Sequence, residues 1–170
     1  MGLLKQEPQS GYDLRKIFAG TPMRHFSDSP GSIYPALKRL VARKWLTARS
    51  ENGSGRGKQI FRVTAEGQKA LVKWLEKPVT RADVIWGSEE LMLRFALMDN
   101  NVSRATTARF LEEFEREMAA YTRELHEYKR AFGAGIRSTT GGLAFENGII
   151  GYEAQLTWVR VARKEIEASL

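Results

Sequence analysis

The chain has 170 residues, with 27 Lys and Arg against 20 Asp and Glu, and no cysteine. That length suits one ordinary domain, or a small domain with a helical extension, and is enough for a conventional apolar core. Lack of cysteine excludes disulfides, thiolate metal sites and cysteine nucleophiles together, and suits a reducing compartment, so a cytoplasmic protein is the default expectation. Between Met1 and Pro8 only Leu3 and Leu4 are sizeable apolar side chains, and charges interrupt every later apolar run. A secretory leader and a membrane anchor are therefore not expected, and the protein should be soluble.

The net charge of +7 is unevenly placed. Residues 1–77 carry 15 Lys and Arg against 6 Asp and Glu, whereas the remainder carries 12 against 14. A basic front and a near-neutral back point to a polyanion-binding module joined to something with another task. A merely solubilising surface charge is the competing reading, and composition leaves both open.

In chain order, Leu3 and Leu4 open a short helix that stops before Pro8. Tyr12, Leu14, Ile17 and Phe18 recur at helical spacing in a second. A polar, Pro-containing stretch follows, after which Ile33, Leu37, Leu40 and Val41 line one face of a third helix, with Pro35, Lys38, Arg39 and Ala42 opposite. Ser32 is the expected N-cap, because capping at Ser29 would leave Pro35 in the helix interior. Leu46–Glu51 and Gln59–Thr64 read as two strands around a tip with three glycines, Gly53, Gly55 and Gly57, which is a wing-like hairpin. Thr64 can cap a fourth helix with Ala70, Leu71, Trp74 and Leu75 on its apolar face and Lys69, Lys73 and Lys77 as a basic stripe, closed by Pro78.

Beyond Pro78 a well-buried element is expected over Ile85 to Met98, with helix favoured and strand left open. Ser103 then opens the longest periodic segment, in which Leu111, Phe114, Met118, Tyr121, Leu125, Tyr128 and Phe132 alternate spacings of three and four as a heptad seam. Gly133, Gly135 and Gly141-Gly142 interrupt it. A last helix runs from about Leu143, carrying Ile149, Tyr152, Leu156, Val159 and Ile166 on one side. Gly148 and Gly151 lie inside this helix at a cost of up to about 1 kcal/mol each relative to alanine.

The fold class expected is mainly α with a small β-hairpin: a winged helix-turn-helix domain over residues 1–78 and a helical dimerisation domain, with room for an effector, over residues 79–170. In such a domain the third helix can enter the major groove. Lys38, Arg39, Arg56 and Lys58 are the candidate phosphate contacts, with Arg43 and Lys44 nearby, and Ser29, Ser32 and Tyr34 the candidate base or sugar contacts. Each cation has a plain alternative as a solvated surface residue, and Tyr34 one as a partly packed ring.

These residues resemble a known family. Ser10-Gly11-Tyr12-Asp13-Leu14, then the run from Ser29 to Leu40 (SPGSIYPALKRL), then Gly55-Arg56-Gly57-Lys58, Phe61, Thr64, Gly67 and Trp74-Leu75, are together similar to the PadR family of bacterial transcriptional regulators. The resemblance implies a winged-helix DNA-binding domain, usually of a repressor, with C-terminal helices that swap against the partner's N-terminal domain. The back half is similar to the longer subgroup, the PadR-like virulence activators, in architecture alone. Family members usually have more apolar residues ahead of Gly2-Leu3-Leu4, so the first helix is short by comparison.

The heptad seam can pack within the chain, against a second subunit, or both. Leu111, Phe114, Met118, Tyr121, Leu125, Tyr128, Leu156 and Val159 are the candidate dimerisation residues, and a homodimer would set two reading helices on an inverted-repeat operator. Some members of the family sense small aromatic molecules, which makes Trp86, Phe145, Tyr152 and Trp158 candidate ligand-stacking residues, with plain core packing as the alternative. No catalytic, metal or cofactor site is expected: His25 and His126 are isolated, and Gly53-Ser54-Gly55-Arg56-Gly57-Lys58 lacks the spacing of a phosphate loop. The partners expected are double-stranded DNA, a second copy and a small aromatic effector, with no membrane. A winged helix used only for protein interaction, or an activator without an effector, is the alternative.

Overall fold

The computed structural model describes residues 1–21, 30–51, 58–132 and 139–169. The chain folds as two compact units, Met1–Trp74 and Leu75–Leu170. In the first, α1 (Gly2–Gln6), β1 (Gln9–Ser10), α2 (Gly11–Gly20), α3 (Pro30–Ala42), β2 (Leu46–Glu51) and β3 (Lys58–Val63) precede α4 (Ala65–Leu75), whose last residue belongs to the second. The sheet is antiparallel in the order β1-β3-β2. Three helices with such a sheet have the element order of a winged helix-turn-helix. Strand β1 is an addition to the expected hairpin. Two residues are too short to show alternation, and they become a strand only because β3 places Phe61 opposite Gln9 and Ile60 opposite Ser10.

Ser10 then starts α2. Its hydroxyl accepts from the Asp13 N–H at 3.2 Å, while the Asp13 carboxylate accepts from the Ser10 hydroxyl at 2.7 Å and from its N–H at 3.3 Å, a reciprocal capping box. Helix α3 departs from expectation: it is already helical at Pro30, so Ser32 is not its N-cap and Pro35 lies inside it. Pro30 suits a first turn because its φ is pre-set. Pro35 forgoes one backbone bond, which burial of Ile33 and Leu37 offsets. Past α3, Lys44 takes a φ of 59° while its N–H donates to the Val41 carbonyl and that of Trp45 to the Leu40 carbonyl, the paired hydrogen bonds of a Schellman stop.

Thr64 caps α4 as expected, accepting from the Gly67 N–H at 3.0 Å and donating to the Lys44 carbonyl at 2.7 Å. A Cβ on Gly67 would lie 2.1 Å from the Trp45 carbonyl oxygen, so this approach of α4 to the turn after α3 requires glycine. Lys77 falls beyond the end of α4 and does not extend its basic stripe. Leu4, Leu14, Ile33, Leu37, Leu46 and Phe61 form the core of this unit, one residue or two from each of α1, α2, α3, β2 and β3.

In the second unit Thr80 and Asp83 form another capping box at the start of α5 (Arg81–Trp86). Helix α6 (Ser88–Ala96) follows after Gly87. The single element expected over residues 85–98 is therefore two short helices. Leu91, Arg94 and Met98 are buried at spacings of three and four, which is a helical rather than a strand pattern. The long helices α7 (Arg104–Phe132) and α8 (Thr140–Glu167) run antiparallel, capped by the hydroxyls of Ser103 and Thr139. Glu115 pairs with both Arg160 and Arg163, and His126 with Glu153, along their junction. Among the described residues no helix is long and apolar enough to cross a membrane, and no three metal-ligating side chains cluster.

Arg94 is the exceptional core residue, an arginine only 3% exposed. It donates to the carbonyls of Leu75, at 3.2 Å, and Lys77, and its Cζ lies 5.0 Å from the Phe110 ring centroid. Burial pushes its pKa down, opposed by the charges of Asp83, Glu90 and Glu113. Glu113 accepts from the Val79 N–H at 2.9 Å. Arg94 and Glu113 thus hold residues 75–79, where the second unit begins. Arg94→Ala would leave two carbonyls without their donor beside a void, so urea unfolding should show a loss of about 2–4 kcal/mol. A change below about 0.5 kcal/mol, the level of a surface substitution, would refute this role.

Candidate nucleic-acid interface

Tyr34, Lys38 and Arg39 share the exposed face of α3 with Ser32, while Ile33 and Leu37 on the other face reach the core. The separation follows from the helical period alone: positions 34 and 38 are one turn apart, and 39 sits beside them. Tyr34 is half-exposed at 48% and rests one edge of its ring on Gly11 of α2. It therefore combines the two roles open to it in the sequence, partial packing and availability. Arg43 is engaged over the Trp45 ring, with its Cζ 5.1 Å from the centroid. Ser29 and Arg56 lie outside the described residues.

Lys58 opens β3 opposite Glu51 at the root of the hairpin. Its ammonium is 3.0 Å from the Asp13 carboxylate, a pair in which both side chains are partly exposed. The Ser10 hydroxyl, and then Lys58, hold the Asp13 carboxyl below the usual carboxylate range. Asp13 is a site residue that the sequence reading passed over. The S-x-x-D spacing announces its cap, but nothing local announces a cation 45 positions later in the chain.

The eight residues named for dimerisation divide sharply. Leu111, Phe114, Met118 and Val159 are wholly buried and Leu156 nearly so, because α7 and α8 cover each other's stripes within one chain. Phe110, also buried, stacks on Phe95 of α6 at 6.4 Å between centroids, and Phe114 meets Trp158 of α8 at 6.4 Å. Tyr121 and Leu125 are half-buried and Tyr128 is exposed, as are Phe132, Leu143, Ile150 and Val161. Gly148 and Gly151 admit no close helix here, since a Cβ on either would meet nothing within 4 Å.

Those glycines instead border an open groove of about 600 Å³ between α6 and α8, which Met92, Tyr152, Gln155 and Trp158 also line. Trp158 stands edge-on to Phe95 at 5.4 Å between centroids, and Tyr152 edge-on to Tyr121 at 4.9 Å. Burial, followed by the neighbouring Tyr121, raises the Tyr152 pKa. The other two candidates for ligand stacking do not line this groove. Trp86 is 86% exposed at the end of α5, and Phe145 packs on Tyr128 at 5.5 Å.

Residues 1–73 match the model of the transcriptional regulator PadR-like family. The chain carries a PadR-like domain. Among curated proteins, Transcriptional regulator YqjI of Escherichia coli is 29% identical over 85 residues, which is 50% of this chain and 38% of that protein. Negative transcriptional regulator PadR of Bacillus subtilis is 32% identical over 76 residues, 44% of this chain and 42% of that protein. The chain thus matches these relatives over less than half their length. Bacillus subtilis PadR solved in complex with operator DNA is similar at 21% identity and a TM-score of 0.42, over 97% of this chain and 95% of that one. The same protein solved with p-coumaric acid gives 21% and 0.42, over 98% and 92%.

The matched stretch ends one residue short of the first compact unit, so the PadR-like domain and that unit coincide. Within it the Asp13 carboxylate ties α2 to the hairpin root, and this tie is sensitive to acid. Its folded pKa lies below the ordinary value of 3.8, so its contribution to stability is complete above that value and is lost as pH falls through it toward the folded pKa. Asp13→Asn should therefore lower the melting temperature at about pH 7, with a deficit that shrinks steadily below about pH 4. A deficit that is the same at all pH values would show that the charge of Asp13 plays no part.

Proposed function

We propose that this chain is a sequence-specific, DNA-binding transcriptional regulator, a repressor acting as a homodimer on an inverted-repeat operator. The observation that carries the reading is the exposed face of α3, where Tyr34, Lys38 and Arg39 stand together in a strongly basic unit whose hairpin root carries Lys58. Cations there suit phosphate positioning, and Ser32 and Tyr34 suit contact with base edges or sugars. The PadR-like match and the relative named as a negative regulator favour this reading over a winged helix that meets only proteins. Residues 1–78 are the DNA-binding part in this scheme and residues 79–170 the dimerisation and effector part.

Dimer contacts fall to the side chains left uncovered by the α7–α8 pairing, namely Tyr121, Leu125 and Tyr128 from the original set, together with Phe132, Ile150 and Val161. So many exposed large apolar groups on two neighbouring helices favour association. The effector site is the groove between α6 and α8. A planar aromatic molecule could stack there on Tyr152 or Trp158, in keeping with the aromatic acid bound by Bacillus subtilis PadR.

Selection of bound duplexes from a random pool tests the central claim. If about six to ten phosphates are neutralised, affinity should fall with salt at a log-log slope near −5 to −9, and the selected sites should be two-fold symmetric. Replacing Arg56 and Lys58 with alanine should weaken binding to all duplexes alike and flatten the slope, whereas changes at Ser32 or Tyr34 should alter sequence preference. Identical behaviour of the two groups would overturn the division of labour, and absence of duplex binding at low salt would overturn the function. Sedimentation should show the full chain as a dimer and a chain ending at Phe132 as a monomer. A truncated chain that still dimerises would remove α8 from the interface.

A further inference from the structure

Gly11 is the first residue of α2 and is buried, and its bare α-carbon is where Tyr34 of α3 comes to rest. A Cβ at Gly11 would fall 2.6 Å from Tyr34 Cε1 and 3.2 Å from both Cδ1 and Cζ. No side chain tolerates the first distance, so one of the two partners must yield if Gly11 acquires a Cβ.

The α2 side is poorly able to yield. Ser10, the preceding residue, is paired with Ile60 in the sheet, its hydroxyl is locked into the box with Asp13, and Asp13 is held in turn by Lys58. Leu14, one turn on, is in the core. The Tyr34 ring is the softer partner. Nearly half of it faces solvent, and rotation about its side-chain bonds carries it outward without disturbing Ile33 or Leu37 on the far face of α3. An added methyl group at position 11 would therefore re-aim the ring rather than unfold the domain.

We propose that Gly11 is a specificity-determining position in DNA recognition that acts through Tyr34, its missing side chain setting the direction in which that ring projects from α3. Gly11 itself contacts no DNA in this scheme and is a positioning residue. The inference rests on the reading of Tyr34 as a base or sugar contact given above. It adds that the aim of the reading ring is set by a different helix from the one that carries it.

A double-mutant cycle in the full chain tests this, using the duplex selected by the wild-type protein and a scrambled duplex of equal length at one salt concentration. Gly11→Ala should reduce the ratio of the two affinities by about tenfold, the scale of one base-pair contact, while binding to the scrambled duplex and its salt slope stay unchanged. Tyr34→Ala should show a similar loss, and the combined variant should lose no more than Tyr34→Ala alone, since the methyl group then meets no ring. Full discrimination in Gly11→Ala, or additive losses in the double variant, would overturn the proposal. Failure of the double variant to fold when Tyr34→Ala folds would do so as well, because the methyl group would then be meeting something other than Tyr34. If Tyr34→Ala itself keeps full discrimination, the assignment of Tyr34 fails and takes this inference with it, leaving the rest of the DNA-binding reading in place.

Discussion

Ser10 meets three demands at once, and the geometry of the first unit depends on their agreement. As half of β1 it pairs with Ile60, and as the cap of α2 it exchanges hydrogen bonds with Asp13. Through Asp13 it is linked to Lys58 at the foot of the hairpin. Residues 10–13 and 58–61 are thereby joined by backbone pairing, by a cap and by an ion pair, although nearly fifty positions separate them in the chain. The ion pair is partly exposed and contributes little energy on its own. Its value lies in orientation, because it acts on a turn that the sheet has already fixed in place.

The same economy recurs on the other side of α3. Thr64 caps α4 and also donates to the Lys44 carbonyl, so one hydroxyl fastens the start of one helix to the turn that ends another. Gly67 permits that approach, and Lys44 accepts a left-handed backbone to complete the turn. Helix α3 is thus held at both ends of its exposed face: Tyr34 against α2 near its start, and the Schellman turn against α4 at its close. A helix fixed this way can present Tyr34, Lys38 and Arg39 in constant register, which reading a groove requires.

The second unit solves a different problem. Its long helices bury Leu111, Phe114, Met118 and Val159 completely against each other, yet leave Tyr128, Ile150 and Val161 in the open. One apolar stripe is consumed inside the chain and a second is left over. Arg94 sits in the same unit, its charge solvated by backbone carbonyls and an aromatic face rather than paired with a carboxylate in contact with it. Its Nη2 donates to the carbonyls of Leu75 and Lys77, while its Nε is buried without a hydrogen-bond partner among the described residues.

Much of this was legible in the residues themselves. Helical period gave the two faces of α3 and the long seam of α7, and Thr64 and Ser103 were readable as helix starts, because caps and amphipathic faces are local properties encoded within one or two turns. The basic front half pointed to a polyanion-binding module, and the resemblance carried by the SGYDL and SPGSIYPALKRL segments pointed to the PadR-like domain. What proved illegible depended on partners distant in sequence. Strand β1 exists only because β3 supplies its hydrogen bonds, and Pro35 is tolerated inside α3 because core burial outweighs the bond it forgoes. Lys58 pairs with Asp13 while staying partly exposed, Tyr34 is seated on Gly11, and part of the heptad seam is spent on α8. Period and propensity say which side of an element is apolar, but only the packed chain decides what that side meets, since contact is settled by three-dimensional proximity that no local pattern records.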